Sequence, residues 1–309
     1  MNERYFTANR FFRQKFGHKT RKIPLNAGFS CPNRDGTLDT LGCIYCDQFG
    51  SGPLLKTPLP IDVQIESHIK NQPDAHYIAY FQAFSNTYAP ADTLRALYAP
   101  ALRFPQVKGV FIGTRPDCLH TDVFQVLIDL SKQRYVCVEL GLQSIHETSL
   151  KFLNRHHDFE TFRSAFRALK DCGLDVLVHL ILGIPGESTD MMRSTILEMN
   201  RIKPRGIKLH MLHVLRRTQL EALYQQGNIP LFNQEQYVTL VADLLESLDP
   251  DIVVHRLTGE RNRELFVAPV WALDKVDTLN RIHQEMRKRD TWQGKKLGAR
   301  GPMQPEQRN

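Results

Sequence analysis

The sequence has little of several features that would place it in a specialised class of protein. Six cysteines in 309 residues are too few for the disulfide framework of a small secreted domain. No run approaches the roughly 18 apolar residues of a membrane-spanning helix. The first residues lack an apolar signal-peptide core, because Arg10 and Arg13 interrupt them. We therefore expect a cytoplasmic protein with no membrane partner.

Acidic residues are scarce at both ends of the chain. The formal charge of +7 arises from net charges of +6 over residues 1–22 and +5 over residues 281–309, against −4 for the rest. The first segment also interleaves its cations with aromatic residues, namely Tyr5, Phe6, Phe11, Phe12 and Phe16. Cations that neutralise phosphates beside rings that stack on bases favour nucleic-acid binding. The alternative is that both ends are simply solvated.

Apolar β-rich runs alternate with helical patterns from residue 23 onward. The predicted strands are Ile23–Phe29, His76–Gln82, Val107–Thr114, Tyr135–Leu142, Leu174–Gly183 and Gly206–Val214. The predicted helices lie near 62–70, 92–102, 121–133, 158–172, 189–201 and 234–248. Strands separated by helices indicate parallel strands with helical crossovers. Such units form a full or partial barrel, or an open doubly wound sheet.

Polar or glycine-rich sequence follows nearly every predicted strand, which favours the barrel, because the carboxyl ends of barrel strands meet at one ligand-binding face. We expect an α/β fold, a partial (β/α)6 TIM-like barrel over residues 23–250. A basic aromatic segment, 1–22, precedes it. A short C-terminal extension, 251–309, follows it, with a short strand at Ile252–Leu257, a helix near 275–289 and disorder from Gly294 on.

Three of the six cysteines are clustered as Cys31-x11-Cys43-Ile44-Tyr45-Cys46. The others, Cys118, Cys137 and Cys172, are predicted to be small buried side chains. Three clustered cysteines that stay reduced in the cytoplasm indicate metal binding. Thiolates select zinc or iron–sulfur centres, but structural zinc needs four ligands. Three cysteine ligands leave one iron of a four-iron cluster open to another ligand, such as the amino and carboxylate groups of S-adenosylmethionine (SAM).

Together with the cysteine cluster, three later segments carry a resemblance to a known family. They are Thr114-Arg115-Pro116-Asp117, Val138-Glu139-Leu140-Gly141-Leu142-Gln143-Ser144 and Leu182-Gly183-Ile184-Pro185-Gly186-Glu187. The chain resembles the radical SAM superfamily, in particular its Elp3-like branch and the YhcC-type proteins, from about residue 5 to 297. The eleven-residue spacing between the first two cysteines departs from the commonest, three-residue spacing of that superfamily.

The resemblance implies a site for each cofactor. Cys31, Cys43 and Cys46 would ligate three irons of a [4Fe–4S] cluster, and SAM would bind the fourth. The implied SAM contacts are Tyr45, Lys56, Gln82, Ser85, Thr114, Arg115, Glu139, Gln143, Ile184 and Gly186. The stretch Gln82-Ala83-Phe84-Ser85 stands where relatives have a Gly-Gly-Glu motif, and it lacks those residue types.

Each of these polar side chains also has a structural interpretation. Arg115 can grip a carboxylate with two hydrogen bonds, but it can also pair with Asp117 in its own turn. Glu139 lies within an apolar strand, where a carboxylate needs a partner, and a structural salt bridge would provide one.

Candidate substrate contacts are Asp117, His179, His210 and His213; a histidine packed in the core with its hydrogen bonds satisfied is the alternative for the last three. A tryptophan near lysines, as at Trp271 or Trp292, can stack on a base or anchor the extension.

The resemblance also implies an activity. A low-potential donor such as flavodoxin or ferredoxin would reduce the cluster, and reductive cleavage of SAM would yield a 5′-deoxyadenosyl radical that abstracts a substrate hydrogen. The Elp3-like features and the basic ends point to tRNA as partner, with modification of a wobble-uridine carboxymethylaminomethyl side chain. The alternatives are a radical SAM enzyme for a small-molecule or protein substrate, and a zinc-stabilised nucleic-acid-binding protein.

Overall fold

The computed structural model describes residues 3–50, 58–259 and 263–301. Its strands are β1 (Thr20–Leu25), β2 (His76–Phe81), β3 (Val107–Thr114), β4 (Tyr135–Gln143), β5 (Asp175–Leu182), β6 (Gly206–Met211), β7 (Val214–Leu215), β8 (Val253–Arg256) and β9 (Phe266–Ala268). Seven of them share one sheet in the order β1-β2-β3-β4-β5-β6-β8. The registers of β1 with β2, β2 with β3, β3 with β4, and β6 with β8 are all parallel.

Helices lie before, between and after the strands. They are α1 (Ala8–Phe16), α2 (Ile61–Ile69), α3 (Ala91–Leu102), α4 (Thr121–Ser131), α5 (Glu147–Phe152), α6 (Phe159–Asp171), α7 (Thr189–Ile202), α8 (Gln219–Gln225), α9 (Gln234–Glu246) and α10 (Lys275–Lys288). Short 3-10 turns cover Pro116–Cys118, Val270–Leu273 and Lys295–Leu297. Within the described ranges, no helix combines the length and the apolar character needed to cross a membrane. The predicted alternation of strands and helices is confirmed.

The first strand begins and ends earlier than the apolar pattern predicted. It covers Thr20–Leu25 instead of Ile23–Phe29. The Gln64 side chain accepts from the Asn26 amide at 2.9 Å and donates to the Asn26 carbonyl at 2.8 Å. Both backbone groups of Asn26 are thereby bonded to a side chain instead of a neighbouring strand, and the strand stops. The residues after it form a long loop that carries the clustered cysteines.

Two compact units divide the chain. The first, which we call the cysteine unit, comprises residues 12–142 and 150–178. The second, which we call the C-terminal unit, comprises described residues within 1–11, 143–149 and 179–309.

β8 lies beyond the predicted end of the barrel at residue 250, yet it pairs with β6 in the large sheet. β7 and β9 form a separate antiparallel pair.

The aromatic rings near the N-terminus are packed against protein. Phe12 is 3% exposed and Tyr5 8% exposed. In the cysteine unit, the ring centroids of Phe12 and Phe111 lie 5.9 Å apart and those of Phe16 and Tyr135 lie 5.7 Å apart. In the C-terminal unit, the corresponding distances are 5.4 Å for Tyr5 and His283 and 6.3 Å for Phe6 and Phe11. Tyr5, Phe11 and Phe12 therefore belong to the core, whereas Phe6 and Phe16 stay partly exposed. Nucleic-acid binding by this segment remains a prediction.

Residues 294–301 are ordered, contrary to the prediction of disorder from Gly294. The Gly294 amide donates to the Leu245 carbonyl at 3.0 Å, and Trp292 Nε1 donates to the Ala299 carbonyl at 2.9 Å. Trp271 Nε1 donates to the Phe232 carbonyl at 3.0 Å. Trp271 therefore anchors the extension, which was the structural interpretation of this residue. Residues 302–309 lie outside the described ranges.

Helix α6 shows how the predicted periodicity positions a core face. Phe162, Phe166 and Leu169 are buried on one side. The Asp158 side chain accepts from the Thr161 amide at 2.7 Å, which caps the helix. Phe162 is fully buried and its ring lies 5.9 Å from that of Phe166. The spacing of four and three residues thus identified the buried stripe correctly.

We expect Phe162→Ala to lower the free energy of unfolding by about 3–5 kcal/mol, because it leaves a cavity in this stripe. Arg167→Ala, on the exposed side of the same helix, should change it by less than about 0.5 kcal/mol. Urea denaturation followed by circular dichroism measures both. Equal effects of the two substitutions would contradict the assignment of the buried face.

Candidate metal centre

The three clustered cysteines lie in the loop between β1 and α2, which we call the cysteine loop (residues 26–60). All three are free thiols; Cys43 is buried, and Cys31 and Cys46 are partly exposed. The Arg34 amide donates to the Cys31 carbonyl at 2.8 Å, and the Cys46 amide donates to the Cys43 carbonyl at 3.0 Å. Each cysteine is therefore part of a hydrogen-bonded turn within the loop.

No three His, Cys, Asp or Glu side chains in the described ranges converge as ligands of a single metal ion. A cluster that takes one thiolate per iron does not require its three sulfurs to meet at one point. The donor set, three free thiols in one loop, matches what an iron–sulfur cluster needs.

A short segment after α5, residues 153–157, holds the cysteine loop; we call it the anchor segment. The Asn154 side chain donates to Asp39 Oδ2 at 2.6 Å and to the Gly42 carbonyl at 2.8 Å. Asn33 donates back to the Asn154 carbonyl at 2.7 Å. Asn154 has φ of 55°, a left-handed conformation that asparagine tolerates better than most residues. These bonds tie the loop to a segment more than one hundred residues away.

Arg155, the next residue, is a buried cation beside the cysteine loop that sequence reasoning missed. It is 5% exposed. Its Nη1 lies 3.3 Å from Cys43 Sγ and 3.3 Å from the Tyr45 hydroxyl, and its Nη2 donates to the Gly141 carbonyl at 2.6 Å. The guanidinium thus joins the cysteine loop to β4. The run Asn154-Arg155-His156-His157-Asp158, five polar residues between α5 and α6, was the available signal.

His157 completes the surroundings of this guanidinium. Arg155 donates to His157 Nε2 from Nε at 3.2 Å and from Nη2 at 3.0 Å. Burial lowers the pKa of His157 to about 3, helped by the positive charges of Arg155 and Arg115. The imidazole is therefore neutral at ordinary pH and can accept both hydrogen bonds.

The three thiols differ in their electrostatic surroundings. Burial raises the pKa of Cys43, but the guanidinium groups of Arg155 and Arg115 outweigh it, so the net pKa shift is downward. Burial raises the pKa of Cys46 to about 11 and raises that of Cys31. Cys43 is therefore the thiol that this structure prepares best as a thiolate, the form that binds metal.

Arg115 is buried and paired with Asp117, as the structural interpretation held. Its Nε and Nη2 donate to the two Asp117 carboxylate oxygens at 2.8 and 2.6 Å. Nη2 also donates to the Arg155 carbonyl at 2.6 Å. Nη1, in contrast, is buried without a hydrogen-bond partner. A buried unpaired donor on a cation is costly, and a carboxylate ligand such as that of SAM would satisfy it.

Ser85 and Thr114, two other predicted SAM contacts, are bonded to each other. Their hydroxyl oxygens lie 2.9 Å apart, and the Thr114 hydroxyl is also 2.6 Å from that of Thr87. The Ser85 hydroxyl accepts from the Arg115 amide at 3.3 Å. These contacts place both residues beside Arg115. Gln82 is partly buried after β2, and Lys56 lies outside the described residues.

Glu139 forms the salt bridge that the sequence allowed as an alternative. Its side chain is fully buried, and Oε1 lies 2.7 Å from Lys22 Nζ. The same ammonium group lies 4.9 Å from the ring centroid of Tyr80 and 4.2 Å from that of Phe111. Lysine and carboxylate therefore compensate each other inside the cysteine unit.

The remaining predicted SAM contacts belong to the C-terminal unit. Gln143 ends β4 with φ of 79°, and Gly186 has φ of 87° with open space where a side chain would project. Ile184 is buried. Ser144 Oγ donates to Glu187 Oε1 at 2.5 Å, which ties the residue after β4 to the glycine-rich loop after β5.

The three candidate histidines have different environments. The His179 and His210 rings lie 5.3 Å apart between centroids and are partly exposed. His213 is buried, stacks on Phe266 at 5.6 Å and makes a 3.0 Å hydrogen bond from Nδ1 to the Met211 carbonyl. His213 is therefore a packed core histidine, whereas His179 and His210 form a pair.

Comparison with known proteins gives two family matches along the chain. The model for the radical SAM superfamily matches residues 40–199, and that for the Radical_SAM C-terminal domain matches residues 204–288. An uncharacterized Bacillus subtilis protein, YtqA, is 41% identical over 95% of this chain and 92% of its own length. The Escherichia coli protein YhcC is 32% identical over 84% of each chain.

More distant relatives include tRNA enzymes. The tRNA uridine(34) acetyltransferase of Methanocaldococcus jannaschii is 31% identical over 42% of this chain, which corresponds to 24% of that enzyme. The solved structure of the archaeal Methanocaldococcus infernus Elp3 superposes with a TM-score of 0.68 at 18% identity, over 89% of this chain and 64% of that one. The predicted resemblance and the fold class are confirmed.

We expect Cys31→Ser, Cys43→Ser and Cys46→Ser each to reduce bound iron to a small fraction of the about four irons per chain of a complete cluster. A serine hydroxyl is a poor substitute for a thiolate ligand. Iron analysis and visible absorption after anaerobic reconstitution measure the loss. Cys172→Ser, outside the cysteine loop, serves as the control and should retain its iron. Full iron in any of the three variants would remove that residue from the ligand set.

We expect Lys22→Met to lower the free energy of unfolding by about 3–5 kcal/mol, because it leaves the Glu139 carboxylate buried without its cation. The double variant Lys22→Met with Glu139→Gln should recover most of this loss. Urea unfolding of both variants measures the difference. A double variant as unstable as the single one would argue against a compensating pair.

Proposed function

The chain belongs to the radical SAM superfamily, and on that premise we propose that it modifies the wobble uridine of tRNA. Membership in this superfamily identifies the chain as an enzyme that uses a [4Fe–4S] cluster and SAM. It also removes the alternative of a zinc-stabilised nucleic-acid binder. Bound together, the two cofactors supply a one-electron cleavage of SAM that generates an organic radical capable of abstracting a substrate hydrogen.

The residues of the cysteine unit fit this pair of cofactors. Cys31, Cys43 and Cys46 would each hold one iron. Arg115 would offer its buried, unpaired Nη1 to the SAM carboxylate, while Asp117 keeps the guanidinium in place through two hydrogen bonds. Because the Arg115 guanidinium is buried, it provides charge and a hydrogen-bond donor without competing water.

Similarity to tRNA uridine(34) acetyltransferases is the observation that carries the proposed substrate. The similarity covers less than half of this chain and about a quarter of that enzyme. The substrate assignment is therefore inferred from the shared portion only. The net charge of +7 is compatible with a polyanionic partner. The packed rings of the N-terminal segment do not contribute to this argument.

The reaction also needs an electron donor and residues that contact the substrate. A low-potential donor such as flavodoxin or ferredoxin would reduce the cluster. His179 and His210, paired at β5 and β6, are our candidates for substrate contacts, and the packing of His213 makes it the weakest of the three. A small-molecule or protein substrate is the alternative that the experiment below must separate from tRNA.

We expect tRNA from a deletion strain to lack one modified wobble nucleoside, or to accumulate its precursor, in nucleoside mass spectrometry. Wild-type protein and Cys172→Ser should restore the profile, because neither alters the cysteine loop. Cys43→Ser should not restore it, because that variant lacks a cluster ligand.

A parallel assay would follow 5′-deoxyadenosine release from SAM on reduction by dithionite. An unchanged tRNA profile together with active SAM cleavage would exclude the tRNA substrate and leave the enzyme class intact. That result would direct the search to small molecules and proteins.

A further inference from the structure

The sulfur of Cys43 is set in a hydrogen-bond environment that metal ligation alone does not explain. Arg155 Nη1 lies 3.3 Å from Cys43 Sγ, and Asn33 Nδ2 lies 3.5 Å from it. One donor is a cation and the other a neutral amide. Both are buried, so water does not compete for the sulfur.

The guanidinium is held so firmly that its direction is fixed by the fold. Nη2 donates to the Gly141 carbonyl at 2.6 Å, and Nε donates to His157 Nε2 at 3.2 Å. The Arg155 backbone is fixed as well, since its carbonyl accepts from Arg115 at 2.6 Å. With the rest of the group engaged, Nη1 remains aimed at Cys43 and the Tyr45 hydroxyl.

We propose that Arg155 is a positioning residue that raises the reduction potential of the cluster through its hydrogen bond and charge at Cys43. Reduction adds one negative charge to the cluster. A buried cation and an N–H donor at a ligand sulfur stabilise that extra charge, so they make the cluster easier to reduce. The proposal rests on the cluster and is independent of the tRNA substrate.

Simple anchoring of the cysteine loop is a separate role that another residue performs. Asn154 binds Asp39 and the Gly42 carbonyl, and no bond from it to a cysteine sulfur is present. It is neutral and adjacent to Arg155. Asn154→Gly keeps the left-handed backbone accessible while it removes these two anchoring bonds. It is therefore the matched control for loss of anchoring without loss of charge.

The test compares the cluster potential in wild type, Arg155→Lys, Arg155→Gln and Asn154→Gly by redox titration followed by electron paramagnetic resonance. Titration without SAM ensures that only the cluster and the protein contribute. We expect the midpoint to fall in the order wild type, Arg155→Lys, Arg155→Gln, because lysine keeps the charge and glutamine does not. Asn154→Gly should bind less iron, and the cluster that it retains should have the wild-type midpoint.

A wild-type midpoint in Arg155→Gln would overturn the proposal, and so would an equal fall in Asn154→Gly. Should the glutamine variant hold no cluster, hyperfine spectroscopy of the reduced wild-type cluster, in protein labelled with ¹⁵N-arginine, decides the matter. Coupling to an arginine nitrogen that disappears in Arg155→Lys supports the hydrogen bond. Absence of that coupling in wild type overturns it. Neither readout involves tRNA, so either result leaves the proposed substrate untouched.

Discussion

The guanidinium of Arg155 is buried among a thiol, a phenol, an imidazole and a backbone carbonyl. A cation in such surroundings is stable only when each donor has a partner, because a buried unpaired charge is expensive. Burial works against its charge, but the neighbouring Tyr45 and Cys43 favour it and the pKa of Arg155 is raised. The conformation of the cysteine loop, the end of β4 and the neutral state of His157 therefore depend on one another through this group.

The sequence predicted the βα alternation well, because helices and parallel strands have local periodicities. Helix α6 was identified from the spacing of Phe162, Phe166 and Leu169, and its buried face is the one expected. The burial of Tyr5 and Phe12 could not be predicted, for the opposite reason. Whether Phe12 faces solvent or Phe111 depends on a contact between residues 99 positions apart, and no local pattern encodes that distance.

The candidate site shows the same division between local and distant information. Cys31, Cys43 and Cys46 are recognisable by their spacing, whereas Arg155 reaches Cys43 across 112 residues. For Arg115 and Glu139 the sequence left two interpretations open, and the structure contains the internal partner of each. For Arg115 the ion pair and the ligand contact are compatible, because the ion pair with Asp117 orients the guanidinium while Nη1 stays without a hydrogen-bond partner.

The anchor segment also bears on the unusual separation of the first two cysteines. Eleven residues lie between Cys31 and Cys43, and bonds from Asn154 to Asp39 and to the Gly42 carbonyl attach this stretch to the anchor segment. A loop attached at an internal point behaves as two shorter loops, each with a smaller closure entropy than the whole. Chain length between metal ligands can then vary during evolution at little thermodynamic cost, provided that the clamp and its two attachment points are kept.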